Sequence, residues 1–483
     1  MTLHPVMSSL LTPFAHRRRC RAGLTALMAL IAAFAIAGCA TPIDRVRPTV
    51  ALPAQWNEAA PGTVALQREG WRGFQSPELD QLIDTAQASS PTLAIAALRV
   101  QQAEMAVRSA GATLFPSVTV GGSTGARNAD PARGASTRTR TSRSTTVSLG
   151  ASYEIDLWGR LSAGIQGAEA SLAASRYDVE AARLSLTTGV ANAYFQVLAL
   201  RTRLVIAREN LAVAERVFKV VDSRWRNGAA SALDVSRQRI TVLAQRASIE
   251  PLEVQERQTV SALAILLGRV PQWQQVEARS FDGVALPEVS AALPSDLLLR
   301  RPDLASAEAQ LAAADADVAV ARAALLPSVS LSGSAGVATA SLLSLANPAT
   351  SVGLTASIAQ TLFDGGRLRN NVALSESARR QLVERYRGAI YTALKEVEDA
   401  LGNVQSSRGQ EQAQRAIRDE AQRALRLAEL RYREGADDIT SVLDAQRTLF
   451  ASLDQLAQLR LARLSAALEL IMALGGGWAV GSP

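Results

Sequence analysis

The sequence predicts an α+β membrane protein, with long paired helices joined to four short membrane-facing strands in a duplicated chain. Three observations predict it. The chain opens on an export signal ending at a cysteine. Its two halves repeat at an offset near 207 residues. Each half also carries two stretches of period-two alternation beside very long proline-free helical runs.

The export signal comes first. Arg17, Arg18, Arg19 and Arg21 form a positive n-region, followed by an apolar run from about Ala22 to Ala37. That run is short for a membrane-spanning helix and suits a secretory signal. It ends Ile36-Ala37-Gly38-Cys39, which resembles a bacterial lipobox. The resemblance implies cleavage before Cys39, lipid on its thiol and amine and, with Ala40 rather than Asp next, sorting to the outer membrane. The competing reading is an ordinary signal with a chance cysteine.

Cleavage changes the chemistry available. Removing four arginines and no acids takes the formal charge from +7 to about +3. With Lys only at 219 and 395, the basic character is arginine composition and no sign of a nucleic-acid partner. Cys20 leaves with the signal, so no intrachain disulfide remains although the compartment would allow one. His4 and His16 leave as well. The mature chain then lacks the commonest metal ligand and general base. No phosphate-binding Gly-rich loop precedes either lysine. The expectation is no enzyme, no metal, and no cofactor beyond the covalent lipid on Cys39.

The repeat sets the organisation. Leu114-Phe115-Pro116-Ser117-Val118 matches Leu325-Leu326-Pro327-Ser328-Val329; Arg224-Trp225-Arg226-Asn227-Gly228 matches Arg431-Tyr432-Arg433-Glu434-Gly435; Leu266-Leu267-Gly268 matches Ala473-Leu474-Gly475. The spans read as a signal (1–38), a lipid-anchored and equatorial segment (39–90), repeat 1 (91–268), a linker (269–301), repeat 2 (302–475) and a tail (476–483). Each repeat reads helix, two strands, long helix, helix.

Val190, Val197, Leu204, Leu211, Phe218 and Trp225 hold a seven-residue spacing, and Ala193, Leu200, Ala207, Ala214 and Val221 fill the partner positions. That is a coiled-coil seam. Leu443, Phe450, Ala457, Leu464 and Ile471 repeat the spacing near the C-terminus. A helix from about Arg160 to Asn227 would span roughly 100 Å at 1.5 Å per residue. The two shorter helices of that half, about Pro91–Phe115 and Ser231–Gly268, together match it. The second half repeats this with 302–326 plus 438–474 against 367–434. Such columns suit the wall of a tube.

Strands are expected at 117–125, 145–154, 328–337 and 350–359, apolar on one face and small or polar on the other. Their lengths fit a transmembrane β-strand. Four strands cannot close a membrane barrel, two copies would leave the interior filled with side chains, and a conduit needs at least three. The alternative is a soluble hairpin packed on the helices. The connection at 126–144 carries Arg127, Arg133, Arg138, Arg140 and Arg143 against Asp130. It reads as a solvated loop, with lipopolysaccharide phosphate binding as the second option.

The segment Leu293-Pro294-Ser295-Asp296-Leu297-Leu298-Leu299-Arg300-Arg301-Pro302-Asp303-Leu304 closely resembles one typical of TolC-like outer-membrane factors, the NodT-type efflux lipoproteins. Trp71, Phe74 and Leu79-Asp80-Gln81-Leu82-Ile83 fit the same family, as do Phe363-Asp364-Gly365-Gly366-Arg367 and Ala473-Leu474-Gly475-Gly476-Gly477-Trp478. The resemblance implies a homotrimer with a twelve-stranded barrel continuous with a periplasmic helical barrel. Its implied partners are outer-membrane lipid, a periplasmic membrane-fusion adaptor and an inner-membrane transporter of the RND type. It implies passive efflux of small molecules. An exit duct for type I protein secretion is the alternative within the channel class, and a periplasmic coiled-coil adaptor is the alternative outside it.

The resemblance also implies a periplasmic gate with acidic residues near the pore. Asp444 matches one acidic position; Ser441 departs from the other. Tyr432, Arg433 and Arg447 are nearby candidates for closing hydrogen bonds, with Asp437 and Asp438 beside them. By repeat symmetry Asp234 and Arg237 are the first-half counterparts. Plainer readings compete: Ser231 with Asp234 has capping-box spacing, Asp438 could be an N-cap, and Asp437 a solvated turn residue.

Overall fold

The computed structural model describes residues 47–58, 69–129, 140–287 and 293–478. The signal, Cys39, Arg133, Arg138 and Asp130 lie outside them. Within the described residues the chain runs α1 (Pro77–Ser89), α2 (Pro91–Ala112), β1 (Ser117–Ala129), β2 (Arg140–Ile155), α3 (Arg160–Arg226), α4 (Ala232–Ala247) and α5 (Ile249–Leu266). It continues with α6 (Pro302–Ala323), β3 (Ser328–Thr339), β4 (Ala349–Ala359), α7 (Arg367–Arg433) and α8 (Ile439–Ala473). No described helix is long and apolar enough to cross a membrane.

Two compact units emerge. One holds Met105–Glu169 with Ala312–Arg380; the other holds Arg47–Glu104, Ala170–Leu311 and Gln381–Pro483. In the first, the strands form one antiparallel sheet in the order β1-β2-β3-β4. The register sorts its side chains into two faces. Val118 and Val120 align with Ala151 and Leu149; these continue through Gly333 and Ala335 to Leu354 and Val352. The other face aligns Ser117, Ser152, Ser332 and Thr355, then Thr119, Gly150, Ser334 and Gly353. One face is therefore apolar and the other is a ladder of hydroxyls and glycines.

The strands run longer than the sequence reading placed them. Ala126 to Ala129 and Arg140 to Arg143 continue the β1–β2 ladder, so Arg127, Arg140 and Arg143 belong to strands, not to a loop. The arginines sit beyond the apolar stretch of β2, where backbone pairing continues without a demand for apolar side chains. Each long helix in turn begins on an aspartate. Asp156 accepts from the amides of Leu161 and Ser162 at 3.0 and 2.8 Å and from the Ser162 hydroxyl at 2.7 Å. Asp364 accepts from the amides of Gly366 and Leu368, both at 3.0 Å. These bonds satisfy helix-start amides that have no partner in the helix.

In the second unit, a core gathers Phe74, Leu79 and Ile83 against Tyr194, Phe195 and Leu198 of α3, Leu263 and Leu267, Val397 and Leu401 of α7, and Leu464 and Ile471 of α8. Phe74 meets Phe195 edge-on, ring centroids 4.9 Å apart. A smaller cluster joins Val217 and Val221 of α3, Ala421, Leu425 and Tyr432 of α7, and Ile439, Val442 and Leu449 of α8.

The expected heptad seam holds only in part. Val190, Val197 and Leu204 are buried, but Leu211 and Phe218 are half-buried and Trp225 is exposed, while the expected partner positions Ala214 and Val221 stay buried and Val217 joins them. An α-helix drifts about 20° per heptad against a strict seven-residue repeat, so the buried stripe moves round α3. The single helix expected from Ser231 to Gly268 is also two. Pro251 has no amide to give, and its ring would strike the carbonyl four residues back, so the chain breaks at Ser248 between α4 and α5. The matching stretch of α8 has no proline and runs unbroken.

Candidate gate at the helix turns

Both long helices end in the same turn. Gly228, at φ +72°, donates to Trp225 O, and Ala229 to Arg224 O at 2.8 Å. Gly435, at φ +75°, donates to Tyr432 O, and Ala436 to Arg431 O at 2.8 Å. Each glycine closes a Schellman turn in the left-handed conformation that a Cβ disfavours.

The residues after the turns start the return helices. Ser231 and Asp234 form a reciprocal capping box: Ser231 N donates to Asp234 Oδ2 at 2.9 Å, and Asp234 N to Ser231 Oγ at 3.2 Å. Asp438 is the N-cap of α8, accepting from Thr440 N at 2.8 Å and from the Thr440 hydroxyl. The Thr440 hydroxyl and amide hold the Asp438 carboxyl below its ordinary value. Asp437 accepts from the Ser441 hydroxyl at 3.0 Å and pairs with Arg431 at 3.4 Å. The serine that replaces the expected acid thus fixes a neighbouring aspartate.

Three of the named residues share one concavity. Arg237, Asp444 and Arg447 line a cavity of about 930 Å³ with Ile240, Leu443 and Phe450, between α3, α4–α5 and α8. Asp444 pairs with Arg447 one turn on at 3.1 Å, and both stay in solvent, 70 % and 81 % exposed. An exposed pair of this kind contributes only about 0.2–1 kcal/mol. Asp444 is therefore held loosely and is open to other partners. Arg203 and Asp454, also in its lining, pair at 2.6 Å and link α3 to α8.

Tyr432 lies elsewhere. Its ring is buried beneath the Arg224 guanidinium, 4.5 Å from the ring centroid, and Arg224 Nη1 donates to the Tyr432 carbonyl. Burial pushes the phenol above its ordinary value against the opposing pull of Arg224. Arg433 is exposed. Sequence reasoning missed Arg224, although it sits in the repeated Arg-Trp-Arg-Asn-Gly stretch opposite Arg431. It also missed Gln238 and Gln446, fully buried amides inside helices, which a polarity reading would place on the surface. Gln238 Nε2 donates to Ala214 O at 2.8 Å, linking α4 to α3.

Comparison with known proteins matches this architecture. The profile of the outer membrane efflux protein family matches twice, over residues 82–269 and 293–476. The chain is 41% identical over 460 residues to the pyoverdine export outer membrane protein OpmQ of Pseudomonas aeruginosa, covering 93% of this chain and 97% of that one. It is 32% identical over 464 residues to the cation efflux system protein CusC of Escherichia coli O6:H1, covering 94% and 98%. The solved outer-membrane channel OprN superposes with a TM-score of 0.80 at 27% identity, over 90% of this chain and all of that one. The four-strand sheet, long helices and tandem repeat are the fold of these outer-membrane channels. The chain belongs to the outer membrane efflux protein family.

Proposed function

We propose that this family member is the outer-membrane exit duct of a tripartite efflux system. Three copies close a twelve-stranded barrel whose bore continues into a tunnel of paired helices. The observation that carries this reading is the sheet itself. It has an apolar face, a hydroxyl face and two open edges, β1 and β4. An open edge in lipid leaves backbone groups without partners, so the edges must pair with other copies. The apolar face then meets lipid and the hydroxyl face lines water.

Conduction is passive, and the energy comes from the inner-membrane partner. An inner-membrane transporter of the RND type delivers cargo and a periplasmic membrane-fusion adaptor couples the two. Lipid on Cys39 adds a second hold on the membrane. The cargo is a secreted small molecule; the 41% relative named for pyoverdine export makes pyoverdine the first compound to assay. At the tunnel mouth, three copies of Asp444 near a threefold axis repel one another, attract cations and respond to spreading of the helices. Arg447 is the counter-charge, and Arg237 shares its cavity.

Planar-bilayer recording tests both levels. Purified protein should migrate as a trimer and form pores. Asp444→Ala should lower block by added divalent cations several-fold. A water-soluble monomer without pores sinks the duct, and an unchanged cation block removes Asp444 from the gate.

A further inference from the structure

We infer that the β3–β4 connection is a lipid-facing flap, whose leucines extend the apolar belt of the barrel among the acyl chains of the outer leaflet. The inference rests on the barrel reading above and goes beyond it, since a loop at that end of a channel could equally cover the bore.

The argument starts from the register. Thr124, Thr145 and Thr339 stand side by side across β1, β2 and β3. Each lies an even number of residues from Val120, Val147 and Val337, so all three project from the apolar face. Their hydroxyls hold the connection down. Thr145 Oγ1 donates to Ser341 O at 2.8 Å, Thr339 Oγ1 donates to Ser344 O at 2.5 Å, and Leu343 N donates to Thr124 Oγ1 at 3.3 Å. Thr124 and Thr145 bond each other at 3.0 Å. The connection therefore lies over the apolar face and away from the hydroxyl ladder, and Thr339 is left only 6% exposed beneath it.

Held this way, the loop turns Leu342, Leu343 and Leu345 outward, 44%, 80% and 45% exposed. Leu343 sits at φ +54°, a conformation that costs a leucine of order 1 kcal/mol and that the three threonine bonds maintain. In water, three neighbouring exposed leucines would be a liability; in lipid they are favourable.

Lengths explain why the belt needs them. From Val329 to Val337 the strand rises roughly 27 Å, or about 21 Å along the membrane normal at a tilt near 40°, against an apolar band of ~25 Å in such barrels. The threonine row marks where the apolar strand face ends, and the leucines continue it. The aromatic residues of this unit, Phe115, Tyr153, Trp158 and Phe363, all lie at the opposite, helix-proximal end of the sheet. The far end is thus anchored by aliphatic side chains.

Spin labels on single introduced cysteines test this in the lipid-modified trimer reconstituted into phospholipid vesicles. Leu342→Cys, Leu343→Cys and Leu345→Cys are read against Val120→Cys on the apolar face and Ser334→Cys on the hydroxyl face, with the unsubstituted protein as background for Cys39. Collision with molecular oxygen should exceed collision with a water-soluble nickel chelate several-fold at the three leucine positions, as at Val120. Nickel dominance there would place the loop in water or over the bore and overturn the inference. Inaccessibility to both reagents would mean packing against a second copy, and overturns it too. Loss of contrast between Val120 and Ser334 would overturn the barrel reading, and the flap with it.

Discussion

A Cβ built at Gly475 would lie 1.8 Å from the carbonyl oxygen of Arg300, on a residue already at φ +89°. The repeated Leu-Leu-Gly and Ala-Leu-Gly were visible as a match between halves, but the cause was not, because the obstructing backbone is remote in sequence. Gly268 shows the same relation to Ser89 O, at 2.3 Å. Gly475→Ala should cost roughly 2–3 kcal/mol from strain and overpacking together, read as a lower temperature for trimer dissociation. Glu411 is a second residue that sequence concealed. It looked like one more acid on a polar helix, yet it is 2% exposed and meets Arg463 at 2.7 Å, Arg460 at 3.8 Å, and Arg415. Burial alone would raise its carboxyl, but the bonds from Arg463 and Arg415 outweigh it and hold the value below normal. A lowered folded value gives stability that is present above the unfolded carboxylate value near ~4.3 and lost as pH falls through the lowered one. Glu411→Gln should therefore cost on the order of 3 kcal/mol at neutral pH by leaving three arginines short of a counter-charge. It should also flatten the acid limb of a stability-against-pH curve, and an acid limb as steep as the wild type's would refute the assignment.

At the scale of elements, the long helices were the most legible part of the chain, because absence of proline and a near-seven-residue spacing are both local. The Phe-Asp-Gly-Gly-Arg stretch was legible only as a family resemblance, and the structure supplies a reason for it: the aspartate caps a 67-residue helix. The first-half equivalent, Asp156, went unread because its neighbours are Leu157 and Trp158 instead of glycines. Burial by itself would raise the Asp156 carboxyl, but the Ser162 hydroxyl and the Ser162 and Leu161 amides hold it low. Asp156→Ala should cost about 1–2 kcal/mol, with faster amide exchange confined to the first turns of α3. The break at Ser248 was legible too, since Pro251 stands in plain view inside the single helix expected from Ser231 to Gly268. The drift of the seam was not, because which residues are buried late in α3 depends on helices from the other half of the chain.

For the whole molecule, alternation alone gave two faces to every strand, but only the register shows that all four strands put their hydroxyls on the same one. That alignment turns a duplicated hairpin into a wall. It also explains the lack of bulk at the middle of the hydroxyl face, where Gly150, Gly353, Ser332 and Ser334 keep the bore wide. The candidate gate was legible only as positions. That Tyr432 is buried under Arg224, apart from Asp444 and Arg447, depended on packing between repeats. If the hydroxyl face lines the pore, one bulky side chain there is multiplied by the number of copies. Ser332→Trp should cut single-channel conductance several-fold, because three indoles would project into one bore. Val352→Trp, on the apolar face and 88% exposed in the isolated chain, should leave conductance within experimental scatter because its indole enters lipid. Val352→Arg should instead weaken the trimer by roughly 2–4 kcal/mol, the cost of placing a charge on the lipid face near the bilayer midplane. A conductance drop at Val352 with none at Ser332 would invert the assignment of the two faces, and with it the direction in which this sheet curves.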